Sequence, residues 1–270
     1  MSATAASRRR LRWWWAPAGL ATAHGAPILV GLAVTVALGL HHRTTWTWLA
    51  GTTLLQACLV LTAWLFARRA APSRPWRVLF VCPTNARHAV GWVALGWVTT
   101  IVLSAMYWSG VDPHLPRTHH TGVPHPASSG AVAAILVSAI VLAPIAEELF
   151  YRGLFFNALR RKLPIGLAVA VTAVVFGLAH MIGGDPLVTI PPRVIFGVVA
   201  CLLVIRTGSL LPGMALHAWN NAFATAPSPT GLGIVVIVGL LSAAVALLAP
   251  WRRWQRRSES APRRAGPQPA

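Results

Sequence analysis

The chain has 270 residues, of which 56% are hydrophobic and only 10% are charged, and its mean hydropathy is +0.61. This composition, together with long apolar runs, excludes an ordinary soluble globular domain and predicts an all-α polytopic membrane protein. The formal net charge of +18 does not indicate a nucleic-acid partner, because the basic residues fall between apolar segments and not on one surface.

Eight apolar segments follow one another along the chain, each close to the ~20 residues needed to cross a bilayer. The first comes after a basic arm and three tryptophans and extends to Leu40, which is typical of an uncleaved first span. The others are predicted at Trp46–Ala67, Ala89–Trp108, Gly130–Leu159, Pro164–Ile182, Leu187–Ile205, Ser209–Ala226 and Gly231–Trp251. The sixth is the least regular, since Pro191, Pro192 and Arg193 leave a clean apolar run only from Val194 to Ile205, so we expect it to be tilted, broken or partly re-entrant.

These segments divide the chain into five parts. They are a basic cytoplasmic arm at 1–12, three spans with their loops at 13–129, a core at 130–226, a last span with its flank at 227–257, and a polar tail at 258–270. The tail contains several prolines and no apolar run, so we expect it to be disordered.

The basic residues give the orientation. When successive loops alternate between the two sides of the membrane, twenty of the 23 basic residues fall on one side, and only Arg43, Arg117 and Arg193 fall on the other. The positive-inside rule then places both termini in the cytoplasm. Lys162 is the only lysine among the 23 basic residues, which is typical of G+C-rich coding. We therefore expect a prokaryotic source and a prokaryotic plasma membrane. The charge reports membrane orientation, and no nucleic-acid partner is expected.

Two adjacent carboxylates interrupt the fourth span, in the stretch A-P-I-A-E-E-L-F-Y-R-G. A charged carboxylate in hydrocarbon costs at least ~2.5–3.5 kcal/mol, so it persists mainly when it is paired, protonated or functional. On a helix, Glu148 and Arg152 lie four residues apart on one face, whereas Glu147 points about 100° away. We therefore expect one paired and one free carboxylate, with a purely structural ion pair as the alternative.

Two further polar motifs lie in the fifth and seventh spans. The fifth span ends F-G-L-A-H, with Phe176 and His180 four residues apart, and the seventh contains H-A-W-N-N, with His217 and Asn221 at the same spacing. Either motif alone is more typical of an interhelical hydrogen bond than of catalysis.

The depth of these residues strengthens the prediction. Glu147 lies sixteen residues before Leu163, and His180 lies sixteen residues after Pro164, so both are ~24 Å from the turn that joins the two spans. An antiparallel hairpin would bring them face to face. His217 reaches a similar depth on the seventh span, so the sequence predicts a small intramembrane functional site built from three helices.

The stretches E-E-L-F-Y-R, F-G-L-A-H and H-A-W-N-N match the patterns E-E-x-x-x-R, F-x-x-x-H and H-x-x-x-N, in this order. They resemble the signature of the CPBP family of type II CAAX prenyl proteases and bacteriocin-processing enzymes, also called Abi. The resemblance covers about residues 130–226. It implies about eight transmembrane helices around a conical intramembrane cavity, and an endopeptidase that acts on a membrane-associated or prenyl-protein-like substrate.

The resemblance also implies roles for the residues. Glu147 would activate the attacking water together with His180, while His217 and Asn221 would stabilise the oxyanion. Glu148 and Arg152 occupy the remaining motif positions and would organise the site. A buried carboxylate beside an imidazole suits the first task, and fixed hydrogen-bond donors suit the second.

Alternatives to this function remain open at the level of sequence. A zinc-dependent protease could draw its ligands from Glu147, Glu148, His180 and His217. The H-E-x-x-H pair typical of zinc peptidases is lacking, so a metal-free glutamate mechanism without cofactors is favoured. A non-catalytic bacteriocin immunity or peptide-binding protein is a second alternative, and a transporter with a carboxylate proton relay is a third. The complete motifs favour catalysis, and the lack of evident repeated halves disfavours the transporter.

Overall fold

We analysed a computed structural model, which describes residues 11–38, 44–111, 128–183 and 185–224. The described residues form helices and connecting turns, without a strand. The helices are α1 (Trp15–Leu38), α2 (Thr45–Ala70), α3 (Pro75–Val78), α4 (Ala86–Ser109), α5 (Ser129–Leu159), α6 (Ile165–Ala179), α7 (Ile190–Thr207) and α8 (Leu211–Ala224). Two 3₁₀ turns, His180–Gly183 and Leu187–Thr189, flank the connection between α6 and α7.

Six of these helices are long and apolar enough to cross a membrane, namely α1, α2, α4, α5, and α6 and α7 with their adjoining 3₁₀ turns. The seventh predicted span corresponds to α8. The eighth, Gly231–Trp251, lies outside the described residues, as do the basic arm through Arg10 and the tail. The all-α polytopic membrane fold is therefore confirmed, and the count of eight spans stays a prediction.

The sixth predicted span is more regular than its sequence suggested. Pro191 and Pro192 occupy the first turn of α7, where the missing backbone N–H of proline is not needed for an intrahelical hydrogen bond. The helix therefore begins at Ile190, before the clean apolar run, and continues unbroken to Thr207. The expectation of a break was wrong, because these prolines begin the helix and do not interrupt it.

Helix α5 carries the two carboxylates and contains two π-helical stretches, Ser138–Leu142 and Glu148–Phe156. At the end of the first stretch the Ala143 N–H donates to the Ser138 carbonyl, five residues back. The next residue, Pro144, has no N–H to offer to the carbonyls of the preceding turn. The π-helical turn before Pro144 is therefore a local opening of the regular helix.

The core of the described residues is built around α5. Every residue from Glu148 to Leu159 is buried, between α1 and α2 on one side and α6, α7 and α8 on the other. Small residues permit a close helix contact, since a Cβ at Gly197 of α7 would lie 2.9 Å from the Cα of Ala173 on α6. The outer face of α1 exposes large apolar side chains such as Leu29 and Val36, as expected for a surface in contact with lipid.

Candidate active site

A buried ion pair lies at the centre of the polar residues. The Arg152 Nη1 donates to the Glu148 Oε1 at 2.9 Å, and both side chains are fully buried. The guanidinium also lies 4.3 Å above the ring of Phe176, and its Nη2 donates to the Gly197 carbonyl at 3.4 Å. This pair is the one predicted from the four-residue spacing. It offsets part of the cost of placing one of the two carboxylates inside the membrane.

His217 of α8 lies between the two adjacent carboxylates of α5. Its Nδ1–H donates to the Glu148 Oε1 at 3.0 Å, and its Nε2 lies 3.7 Å from the Glu147 Oε2. The Glu147 side chain is 20% exposed, whereas Glu148 is fully buried. Glu147 is therefore the carboxylate of the two that water can approach, and Glu148 fixes the orientation of the imidazole.

This orientation has a consequence for proton transfer. Because the Nδ1 of His217 donates to Glu148, a neutral imidazole presents the lone pair of Nε2 to the Glu147 Oε2. Two lone pairs at 3.7 Å repel each other, so the arrangement is favourable when one of the two groups holds a proton. The Oε2 atom of Glu147 is sealed from solvent and accepts no hydrogen bond from the described residues. A closer approach of the two atoms, to hydrogen-bond distance, would let the pair share one proton, which is the requirement for general acid–base chemistry.

His180 lies beside the cluster formed by Glu147, Glu148, Arg152 and His217, against the aromatic ring of Phe176. Its ring packs edge-on against Phe176 at 4.9 Å between ring centroids, and its Nδ1–H donates to the Phe176 carbonyl at 2.8 Å. The ring of Phe176 also lies next to the ring of His217, at 6.0 Å between ring centroids. Among the described residues no hydrogen bond or ion-pair contact joins His180 to Glu147. The structure thus brings His217 into contact with Glu147, and His180 reaches the same cluster through Phe176.

Asn221 lies one turn beyond His217 on α8. Its Nδ2 donates to the Ala139 carbonyl at 2.8 Å, within the first π-helical stretch of α5. One of the two amide hydrogens of Asn221 is therefore engaged with the backbone, and the other is not used by this bond.

The four candidate metal ligands do not form a ligand set in this structure. In the described ranges no group of three His, Cys, Asp or Glu side chains is arranged to hold a metal ion. The reason is visible at His217, whose Nδ1 is bonded to Glu148 and whose Nε2 is directed at Glu147. Glu148 is in turn bonded to Arg152, so only the His217 Nε2 and the Glu147 Oε2 face each other, which is one donor atom short of a three-ligand site.

Two contributors escaped the sequence analysis. A Cβ at Gly213 would lie 3.2 Å from the Glu148 Oε2, so this glycine, one turn before His217, allows α8 to approach the buried carboxylate. The Tyr151 hydroxyl is hydrogen-bonded at 2.8 Å to the Nε2 of His24 on α1, and both groups are buried. The glycine in an apolar helix was a detectable signal. The His24 contact was not, because it joins residues 127 positions apart.

Residues 129–223 match the family described as type II CAAX prenyl endopeptidase Rce1-like. The match supports a CPBP-family intramembrane protease. The Rce1-like segment makes up about a third of the chain and contains α5 to α8 with all six predicted site residues. No curated protein and no solved structure matches the chain. The family recognised from the three motifs is therefore confirmed, while α1 to α4 lie outside the matched residues.

Proposed function

We propose that this protein is an integral-membrane endopeptidase of the CAAX type that uses a glutamate-activated water and no metal. Its substrate is a membrane-associated peptide or a lipid-modified protein presented from the bilayer. The observation that carries the proposal is the placement of His217 between Glu148 and Glu147, with its Nε2 at 3.7 Å from the Glu147 Oε2. We also propose that both termini lie in the cytoplasm, as the positive-inside rule indicates.

In the proposed mechanism Glu147 takes a proton from water, which attacks the scissile carbonyl carbon. Glu147 then passes this proton to the leaving amine as the carbon–nitrogen bond breaks. Protonated His217 and the second amide hydrogen of Asn221 donate to the oxyanion. His180 assists Glu147 in the role implied by the family motif, and Glu148, paired with Arg152, holds the imidazole of His217 in its orientation.

The primary experiment compares membranes that contain wild-type protein with membranes that contain the Glu147→Gln variant. New peptide termini found by mass spectrometry only with wild type would identify substrates and test catalysis together. Purified protein in nanodiscs is then assayed with an internally quenched peptide carrying a farnesylated cysteine. We expect Glu147→Gln to lower kcat by roughly 10²–10⁴-fold, the range of general-base catalysis. The control is Gly166→Ala, at a position with open space around the added Cβ.

The histidines separate two versions of the mechanism. If Glu147 and His217 exchange the proton, His217→Ala should lose as much activity as Glu147→Gln. If His180 is the main partner, His180→Ala should show the larger loss of the two histidine variants. Undiminished turnover by folded Glu147→Gln would end the assignment of Glu147 as the base.

Metal dependence is tested directly. We expect activity to survive exhaustive dialysis against a chelator, with less than stoichiometric zinc in the active sample. Loss of turnover on chelation, with recovery on addition of one equivalent of Zn²⁺, would replace this mechanism by a zinc-dependent one.

A further inference from the structure

The turn before Pro144 leaves one backbone carbonyl of α5 without a backbone donor. In an α-helix the Ala139 carbonyl would accept from the Ala143 N–H, but that N–H donates to Ser138. In a π-helical pattern the donor would be residue 144, which is a proline and has no N–H. A carbonyl without a partner inside the membrane costs several kcal/mol, so a donor must come from outside the helix.

Two side-chain amides from different helices supply donors at this turn. The Asn221 Nδ2 of α8 donates to the Ala139 carbonyl at 2.8 Å. The Gln56 Nε2 of α2 donates to both the carbonyl and the hydroxyl oxygen of Ser138, at 3.3 and 3.1 Å. We call this pair of amides, Gln56 and Asn221, the amide clamp. The Gln56 Oε1 is buried and has no hydrogen-bond partner among the described residues, so the amide acts here as a donor.

The π-helical turn sets the angular position of everything that follows it on α5. A π-helical turn accommodates one residue more than an α-helical turn, and each residue of an α-helix rotates the chain by about 100°. Glu147 lies on the helical segment Ala143–Glu147 that directly follows the turn. If the turn relaxed to an α-helix, the Glu147 carboxyl would rotate away from the Nε2 of His217.

We propose that Gln56 is a positioning residue for catalysis: its amide, together with that of Asn221, holds the π-helical turn and thereby aims Glu147 at His217. Gln56 lies outside the Rce1-like segment, so the family motifs do not include it. The proposal deepens the proposed function and rests on it for the kinetic measurements only. It also gives α2 a direct effect on the active site, since α2 supplies the donor.

Gln56 also lines a cleft of about 580 Å³ between α2 and α5, which offers a different explanation of any effect on activity. A residue that contacts substrate in the cleft should alter KM, whereas a residue that only positions Glu147 should alter kcat. Thr53 lies one turn earlier on α2, lines the same cleft and makes no hydrogen bond with Ser138. It provides the matched control.

The test uses the full-length protein in nanodiscs with the farnesylated fluorogenic peptide. We expect Gln56→Leu, which keeps the side-chain volume and removes the donor, to lower kcat roughly tenfold with KM within about twofold of wild type. Thr53→Val should leave both constants unchanged. Hydrogen exchange without substrate should show the amides of residues 139–143 exchanging roughly tenfold faster in Gln56→Leu, the size expected for one lost hydrogen bond.

A second variant tests the cause. Pro144→Ala restores the missing N–H, so the turn can relax to an α-helix and no longer needs the clamp. We expect Pro144→Ala to lower kcat by itself, and Gln56→Leu to have no further effect in that background.

Several results would overturn the proposal. They are unchanged exchange at 139–143, an effect of Gln56→Leu on KM alone, additive effects of the two substitutions, or a loss of folded protein with normal kcat in the remaining fraction. If wild type does not cleave the peptide at all, the proposed function is in doubt, while the exchange measurement still decides whether Gln56 holds the turn.

Discussion

Removal of the Arg152 guanidinium should be among the most destabilising single changes in the described structure. In Arg152→Met the side chain keeps its apolar contact with Phe176, but Glu148 is left fully buried without its cation. Breaking one side of a buried ion pair costs ~3–5 kcal/mol, because the remaining charge is uncompensated. At ~2–4 °C per kcal/mol, this corresponds to a Tm lower by roughly 6–20 °C.

The assay is thermal unfolding in detergent, monitored by the reaction of the buried Cys201 thiol with a fluorogenic reagent and by the fraction of monodisperse protein. The comparison is the double variant Glu148→Gln, Arg152→Met, which removes both charges at once. We expect the double variant to recover at least about half of the lost Tm, since no uncompensated charge remains. Arg152→Lys should fall between wild type and Arg152→Met, because an ammonium keeps the charge and loses the planar fork.

Two results would refute this reasoning. A wild-type Tm for Arg152→Met would show that the ion pair contributes nothing to stability. A double variant as unstable as Arg152→Met would show that the loss comes from packing around the guanidinium and not from the unpaired Glu148.

Two further changes test the packing around α5. Gly197→Ala should destabilise the protein by ~1–3 kcal/mol, because the added Cβ would lie 2.9 Å from the Cα of Ala173 and a backbone atom cannot easily move aside. The control is Gly166→Ala, where the added Cβ has nothing within 4 Å. It should be neutral or slightly stabilising in the same Tm measurement. Equal effects at both glycines would contradict the close approach of α6 and α7. Tyr151→Phe removes the hydroxyl bonded to His24 and should cost ~1–3 kcal/mol by leaving a buried imidazole nitrogen unpaired, whereas the double variant with His24→Phe should be less than additive. Strict additivity would show that this bond adds no stability.

The parts of the structure that follow from local rules were predictable from the sequence. Apolar length gave the spans, and four-residue spacing gave the contact of Glu148 with Arg152. The order and spacing of the three motifs gave the family. Each of these depends on residues within one helix or on a pattern that the chain carries in order.

The arrangement of the histidines was not predictable in the same way. Depth along the hairpin placed His180 and Glu147 at one level, but depth does not fix rotation about the helix axis. The π-helical turn at Ser138–Leu142 changes that rotation for all later residues of α5. It is His217, from a helix further along the chain, that lies next to Glu147. The donor Gln56 was missed because it is 82 positions from its partner Ser138.

The hydrogen bond of Tyr151 with His24 matters because the helices are surrounded by lipid and not by water. Around a membrane protein the lipid tails are as apolar as the side chains, so separating α1 from α5 would forfeit little hydrophobic free energy. The two helices are held by close packing, such as that of Gly19 against Leu154, and by this hydrogen bond, which lipid cannot replace. The association of the N-terminal helices with the Rce1-like segment should therefore depend on a few specific side chains. A chain divided between residues 111 and 128 should reassemble in a bilayer when His24 and Tyr151 are intact, and much less well when both are replaced by phenylalanine.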